Sequence, residues 1–157
     1  MEFKELIEFC RSKNIFKKDL EEIEKFNSIE VVCKDERSGY WAYNLRRHVK
    51  NLPKNIKKLA EEKCCENPYW AFRLRLEIDD ISENIKRRAE LKCIDHVAWA
   101  FYLRRDIKDL SEDMKRKAEE KCLESPEWIF NLKMEVKDLP EEIKIKIKNI
   151  LEKKEGK

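Results

Sequence analysis

Four cations and six thiols are the side chains whose recurrence in this chain suggests chemistry. Arg46, Arg75, Arg104 and Lys133 stand at intervals of 29 residues, with Arg47 and Arg105 adjoining two of them. Guanidinium groups in a row suit phosphates or carboxylates, which they grip through paired N–H donors. Internal pairing with acids such as Glu61, Glu90, Glu119 or Asp95 is the favoured expectation for the row, and phosphate or acidic-partner binding the alternative. An acid four residues on would neutralise a rung from its own helix. Only Arg75 has one, Asp79, whereas Arg46, Arg104 and Lys133 are followed there by Lys50, Lys108 and Lys137.

The thiols carry less. Cys64, Cys93 and Cys122 share one column of the same 29-residue period. Packed helices lie ~8–10 Å apart, too far for column neighbours to share a zinc ion with ~2.3 Å Zn–S bonds or to approach within the ~7 Å a disulfide needs. No C-x-x-C occurs, so a metal or redox role would rest on the vicinal pair Cys64-Cys65 with Cys10 and Cys33. Structural packing is the expectation for the column, since cysteine is often a small buried hydrophobe. His48 and His96 occupy different columns, and His96 is expected to help cap the helix that carries Trp99. Glycines stand only at 39 and 156, which excludes a glycine-rich phosphate loop. No catalytic constellation emerges. The expectation is a protein that is not an enzyme and needs no metal or cofactor.

The elements that position these residues follow from the repeat. Trp41, Trp70, Trp99 and Trp128 open similar stretches, of which Trp70-Ala71-Phe72-Arg73-Leu74-Arg75 is one and Trp99-Ala100-Phe101-Tyr102-Leu103-Arg104 another. Further columns hold Val49, Ile78, Ile107 and Val136, then Leu52, Ile81, Leu110 and Leu139. Recurrence at fixed spacing marks one supersecondary unit used several times. Each unit reads as two helices. The first opens on Asn67-Pro68 or Ser125-Pro126, a capping residue before a proline that has no amide to waste, and an apolar stripe at Trp99, Leu103 and Ile107 is expected to lie along it. The aromatic two residues after each Trp (Tyr43, Phe72, Phe101, Phe130) falls about 200° around the helix, so the helix is expected to be wedged between neighbours. The second helix begins with acids such as Glu112-Asp113, favoured by the helix dipole, and repeats a small apolar stripe at Ile85, Ala89 and Cys93, and at Met114, Ala118 and Cys122. Lys57/Glu61, Lys86/Glu90 and Lys115/Glu119, with Glu83/Arg87 and Glu112/Arg116, read as a solvated face of weak ion pairs.

Composition agrees. The chain has 157 residues, 41% apolar and 44% charged, with 36 Lys+Arg against 33 Asp+Glu and only two Gly and four Pro. That is enough apolar material for a core and too little turn chemistry for a β-sandwich. No apolar run approaches the ~18 residues of a membrane span, and Met1-Glu2-Phe3-Lys4 opens no signal peptide. With six cysteines, a reducing cytoplasm is the expected location and a membrane is not an expected partner.

The fold class is therefore all-α: a right-handed αα-solenoid of about ten helices. Residues 1–38 are expected to form an irregular N-terminal helical cap, with helices over about 2–12 and 17–33. Four repeats follow, over about 39–66, 67–95, 96–124 and 125–154, in one continuous domain with the cap. The unit resembles the αα-solenoid class, HEAT-like repeats most closely, in a short 29-residue variant. The 34-residue period and Gly-Tyr signature of tetratricopeptide repeats are absent. The resemblance implies a scaffold for protein–protein interaction, and its partner is expected to be an acidic protein or peptide. Nucleic-acid binding along Arg46, Arg75, Arg104 and Lys133 is the alternative, weighed down by a net charge of only +3. A cysteine-based metal or redox module is a weaker one. Trp41, Trp70, Trp99 and Trp128 are assigned to the core with Cys64, Cys93 and Cys122.

Overall fold

The structure, a computed structural model, describes residues 3–12 and 38–155. The second helix expected in the cap, over 17–33, lies outside the described residues, as does Cys33. The described residues form helices and no strand: α1 (Phe3–Ser12), α2 (Ser38–His48), α3 (Lys54–Cys64), α4 (Pro68–Glu77), α5 (Glu83–Ile94), α6 (Val97–Asp106), α7 (Glu112–Cys122), α8 (Pro126–Glu135) and α9 (Glu141–Glu155). The chain divides into two compact units, residues 1–89 and 90–157. In the first, α2 packs on α3, and α4 packs on both. In the second, α6 packs on α7, α8 on both, and α9 on α8.

The second helices of the pairs form their core as the spacing predicts. Ile56, Ala60 and Cys64 of α3 are buried, as are Met114, Ala118 and Cys122 of α7. Ala60, Ala89 and Ala118 of the second helices, and Ala42, Ala71 and Ala100 of the first, are wholly inaccessible. A methyl at these points lets helix axes approach at the short end of the usual range. Each large aliphatic side chain buried between them contributes roughly 1.5–3 kcal/mol.

The first helices end one residue sooner than expected. Ile78, Ile107 and Val136 are not part of a helical stripe, because each stands just past the helix in extended backbone, with φ/ψ of −120/108°, −93/107° and −100/105°. Their amides still close the last turn, donating to Leu74, Leu103 and Leu132. All three are buried, and so are Ile81, Leu110 and Leu139 three residues later. The turn is thus a pair of apolar plugs that seals the end of each hairpin. At the helix starts, Asn67 Oδ1 accepts from the amides of Tyr69 (2.9 Å) and Trp70 (3.4 Å), and Ser111 Oγ accepts from Met114 (3.3 Å). His96 stands at the capping position of α6 but makes no side-chain cap bond, contrary to expectation. Its ring is exposed and the helix opens without it.

The tryptophan column splits. Trp41 is fully buried, whereas Trp70, Trp99 and Trp128 are half-buried. The indole of Trp70 lies on Tyr43, centroids 5.3 Å apart, and that of Trp128 on Phe101, also at 5.3 Å. Trp70 also explains Gly39. A Cβ on Gly39 would run into its indole ring, so the first turn of α2 tolerates glycine despite its poor helix propensity. We expect Gly39→Ala to lower unfolding free energy by ~1–3 kcal/mol through overpacking, although alanine is the better helix former. Urea denaturation would read this loss, and adding Trp70→Leu should restore part of it.

Candidate functional site

The row of cations is where structure decides between display and internal pairing. Arg46 leaves α2 buried, 6% exposed. Its Nε donates to Glu61 Oε1 of α3 at 2.7 Å, and its Nη2 donates to the Asp80 carboxylate in the turn after α4. Lys57 Nζ meets the other Asp80 oxygen at 2.9 Å. In the second unit Arg104 repeats the arrangement. Nε donates to Glu119 Oε1 of α7 at 2.6 Å, and Nη2 to Asp138 Oδ1 at 2.9 Å. Arg75 is likewise buried, and the sequence sets Glu90 and Asp109 at the same distances from it, fifteen and thirty-four residues on. Lys133 differs. Its side chain is exposed, and the residue fifteen on is Lys148.

These are two-carboxylate cages. Fixing a guanidinium between a buried acid on the partner helix and a half-hydrated acid in the following turn ties three segments together. Burial alone would lower the Arg46 and Arg104 pKa values, but the hydrogen bonds they donate to the carboxylates reverse this and raise them. Asp80 is held down to about 2, first by its bond from Lys57 and then by Arg46. Asp138 is lowered by Arg104. Glu119, 1% exposed with Oε2 accepting no hydrogen bond, is pushed up by burial even beside Arg104.

Sequence spacing pointed to Glu61 and Glu119 as candidate partners, yet it also placed them on a solvated face opposite Lys57 and Lys115. The structure turns both inward, 5% and 1% exposed. Lys115 pairs instead with Glu112 at 2.7 Å, and Arg116 with Glu120 at 3.3 Å. Asp80 and Asp138 were missed because they sit in turns, 34 residues from the cations they meet. The available signal was the Asp80, Asp109 and Asp138 column, which keeps the 29-residue period.

Arg47 and Arg105 form a second, shallower row. Arg47 Nη1 pairs with Glu77 at 3.1 Å, and Arg105 Nη1 with Glu135 at 3.0 Å. Arg73 and Arg47 lie over the Tyr43 ring, and the Tyr43 hydroxyl donates to Glu77. Burial, then that bond, raises the Tyr43 pKa.

Cys64, Cys65, Cys93 and Cys122 are buried thiols. Burial pushes Cys65 to about 11 and Cys122 to about 12, so at neutral pH almost none of either is the nucleophilic thiolate. Among the described residues no three His, Cys, Asp or Glu side chains converge on a metal position, and no helix is long and apolar enough to cross a membrane.

The end of α8, the turn after it and α9 line a half-open cavity of about 550 Å³, rimmed by Lys133, Lys137, Lys144 and Lys148 over Val136, Ile147 and Leu151. Lys144 and Lys148 reach Glu141 (3.4 Å) and Glu152 (3.7 Å). Among the described residues no carboxylate pairs with Lys133 or Lys137.

Two outcomes test the cages. Glu119→Ala strands a buried guanidinium and is expected to cost ~3–5 kcal/mol, whereas Arg104→Met with Glu119→Leu recovers most of it; urea denaturation measures both. Asp80 has a folded pKa of about 2 against an ordinary 3.8, so its contribution is present above 3.8 and lost as pH falls through about 2. Its carboxylate is 69% exposed, which limits that contribution to ~0–1 kcal/mol. The Tm of Asp80→Asn should therefore trail the parent at pH 7 and converge with it toward pH 2.

No protein-family model, curated protein or solved structure matches this chain, and the functional reading rests on the side chains just described.

Proposed function

We propose that this chain is a non-enzymatic helical-repeat module for protein–protein interaction, and that its partner is an acidic protein segment received at the lysine-rimmed cavity of α8 and α9. The 29-residue recurrence supports an αα-repeat array of the solenoid class, whose members mostly act as scaffolds. The observation that carries the reading is the contrast along one column. Arg46 and Arg104 are spent on internal carboxylates, while Lys133, with Lys137 beside it, faces outward on an apolar floor. Floor and rim together suit a ligand with both carboxylates and aliphatic groups, which a protein segment offers.

The cages weigh against phosphate binding along the whole row. A phosphate would have to displace Glu61 or Glu119 from a buried guanidinium, leaving a buried carboxylate unpaired at a cost of several kcal/mol. The net charge of +3 gives little long-range attraction for a polyanion.

Fluorescence anisotropy at ~150 mM salt, near physiological ionic strength, separates the two. A labelled amphipathic peptide of Glu, Ala and Leu is expected to bind in the ~10–100 µM range, modest because the peptide must order itself. Lys133→Glu with Lys148→Glu should abolish that binding while circular dichroism stays unchanged. Single- or double-stranded oligonucleotides that bind more tightly than the peptide would move the reading to nucleic acid. Peptide binding indifferent to the lysine reversals would overturn the site.

A further inference from the structure

The two units seat one helix on another by the same pattern. In the first unit α4 lies on α2: Trp70 stacks on Tyr43, Glu77 pairs with Arg47, and Asp80 pairs with Arg46. In the second, α8 lies on α6: Trp128 stacks on Phe101, Glu135 pairs with Arg105, and Asp138 pairs with Arg104. The incoming helix thus carries Trp, then Glu seven residues on, then Asp ten residues on. The receiving helix offers an aromatic, then Arg at three and at four residues on. Both instances fit this rule.

α8 carries the receiving half as well, and nothing among the described residues occupies it. Phe130 is the counterpart of Tyr43 and Phe101, which are 3% and 1% exposed, yet it is itself 58% exposed. Lys133 is the counterpart of Arg46 and Arg104. Met134 replaces Arg47 and Arg105 and is 62% exposed. Phe130, Lys133 and Met134 fall at i, i+3 and i+4, one face of the helix, and Lys137 follows in the turn beyond it, lining with Lys133 the cavity beside α9.

We propose that this face receives an amphipathic helix of a partner protein, bearing an aromatic residue against Phe130, an apolar residue seven positions later against Met134, and a carboxylate ten positions later against Lys133. The inference rests on the acidic-partner reading and adds the spacing of its ligand. The change of Arg to Met at 134 explains the apolar requirement: a glutamate there would be desolvated with no cation to meet it. A second copy of this chain does not fit. The residues seven beyond Trp41, Trp70, Trp99 and Trp128 are His48, Glu77, Asp106 and Glu135, so the apolar residue is missing from every one of its tryptophan helices.

The chain's own segment 125–140 supplies a template for the probe. A fluorescein-labelled synthetic peptide of that sequence with Glu135→Leu holds tryptophan, leucine and aspartate at positions 0, 7 and 10. Added to the full chain, it is expected to bind about fivefold or more tightly than the peptide retaining Glu135, whose carboxylate would be buried unpaired. Replacing its tryptophan by alanine should weaken binding about thirtyfold, as for an interface anchor. Asp138→Lys in the peptide should lose binding to the parent protein and regain it with Lys133→Glu. A scrambled peptide of equal composition that binds as well would overturn the spacing while leaving the acidic-partner reading standing. Loss of binding by every acidic peptide would remove both. Sedimentation velocity addresses self-association, where a dimer abolished by Phe130→Asp would replace the partner helix with a second copy.

Discussion

A guanidinium that leaves water must find carboxylates, and Arg46 and Arg104 each find two. One comes from the paired helix, as Glu61 or Glu119, and one from the turn after the next helix, as Asp80 or Asp138. The first bond sets how a hairpin closes. The second sets where the next helix must stop. Because Asp80 and Asp138 follow the apolar plugs Ile78 and Val136 by two residues, the early end of the helix, the buried plug and the ion pair belong to one constraint. A helix running one turn further would point the aspartate elsewhere and leave a buried charge with half its partners.

Such a cage need not be the most stabilising way to fill the space, since a buried ion pair loses much of its Coulombic gain to desolvation. What it supplies is discrimination among ways of docking. Leu103 and Leu132 could tolerate a shifted neighbour with little penalty, as aliphatic contacts are non-directional. Arg104 could not, because only one placement of α8 and its turn brings Asp138 within reach. The aromatic contact of Trp128 on Phe101 at the other end of the helix then fixes orientation along the axis. Two separated contacts, one directional and one bulky, hold each incoming helix.

The helices and their small-residue stripes were legible because they depend on local periodicity. Ile56, Ala60 and Cys64 lie on one face whatever surrounds them. The Arg-to-Glu spacing of fifteen was within reach for the same reason, since a hairpin closes locally. The Asp80 and Asp138 contacts were not, because they join elements 34 residues apart and their type, aspartate in a turn, is what any turn would carry. Exposure was the least legible property. Phe101 and Phe130 read alike in sequence, and so do Glu61 and Lys57 as candidates for a solvated face. What separates them is whether a neighbour covers the position, and no residue records its neighbour's presence.

That dependence also accounts for the departures in the fourth repeat. Where the receiving helix has a covering helix, the column holds arginine, whose rigid fork fits two fixed carboxylates at once. At 133 the column holds lysine, a hydrated point charge on a flexible stem, which loses little by standing in water and gains by meeting a single mobile carboxylate. At 134 a methionine replaces arginine, and its unbranched thioether adapts to partners of varied shape. Arginine at 133 would be suited to a permanent cage and lysine to reversible capture. The substitutions therefore follow from one physical difference: among the described residues a neighbouring helix covers the column at Arg46 and Arg104, whereas Lys133 and Met134 stand in water.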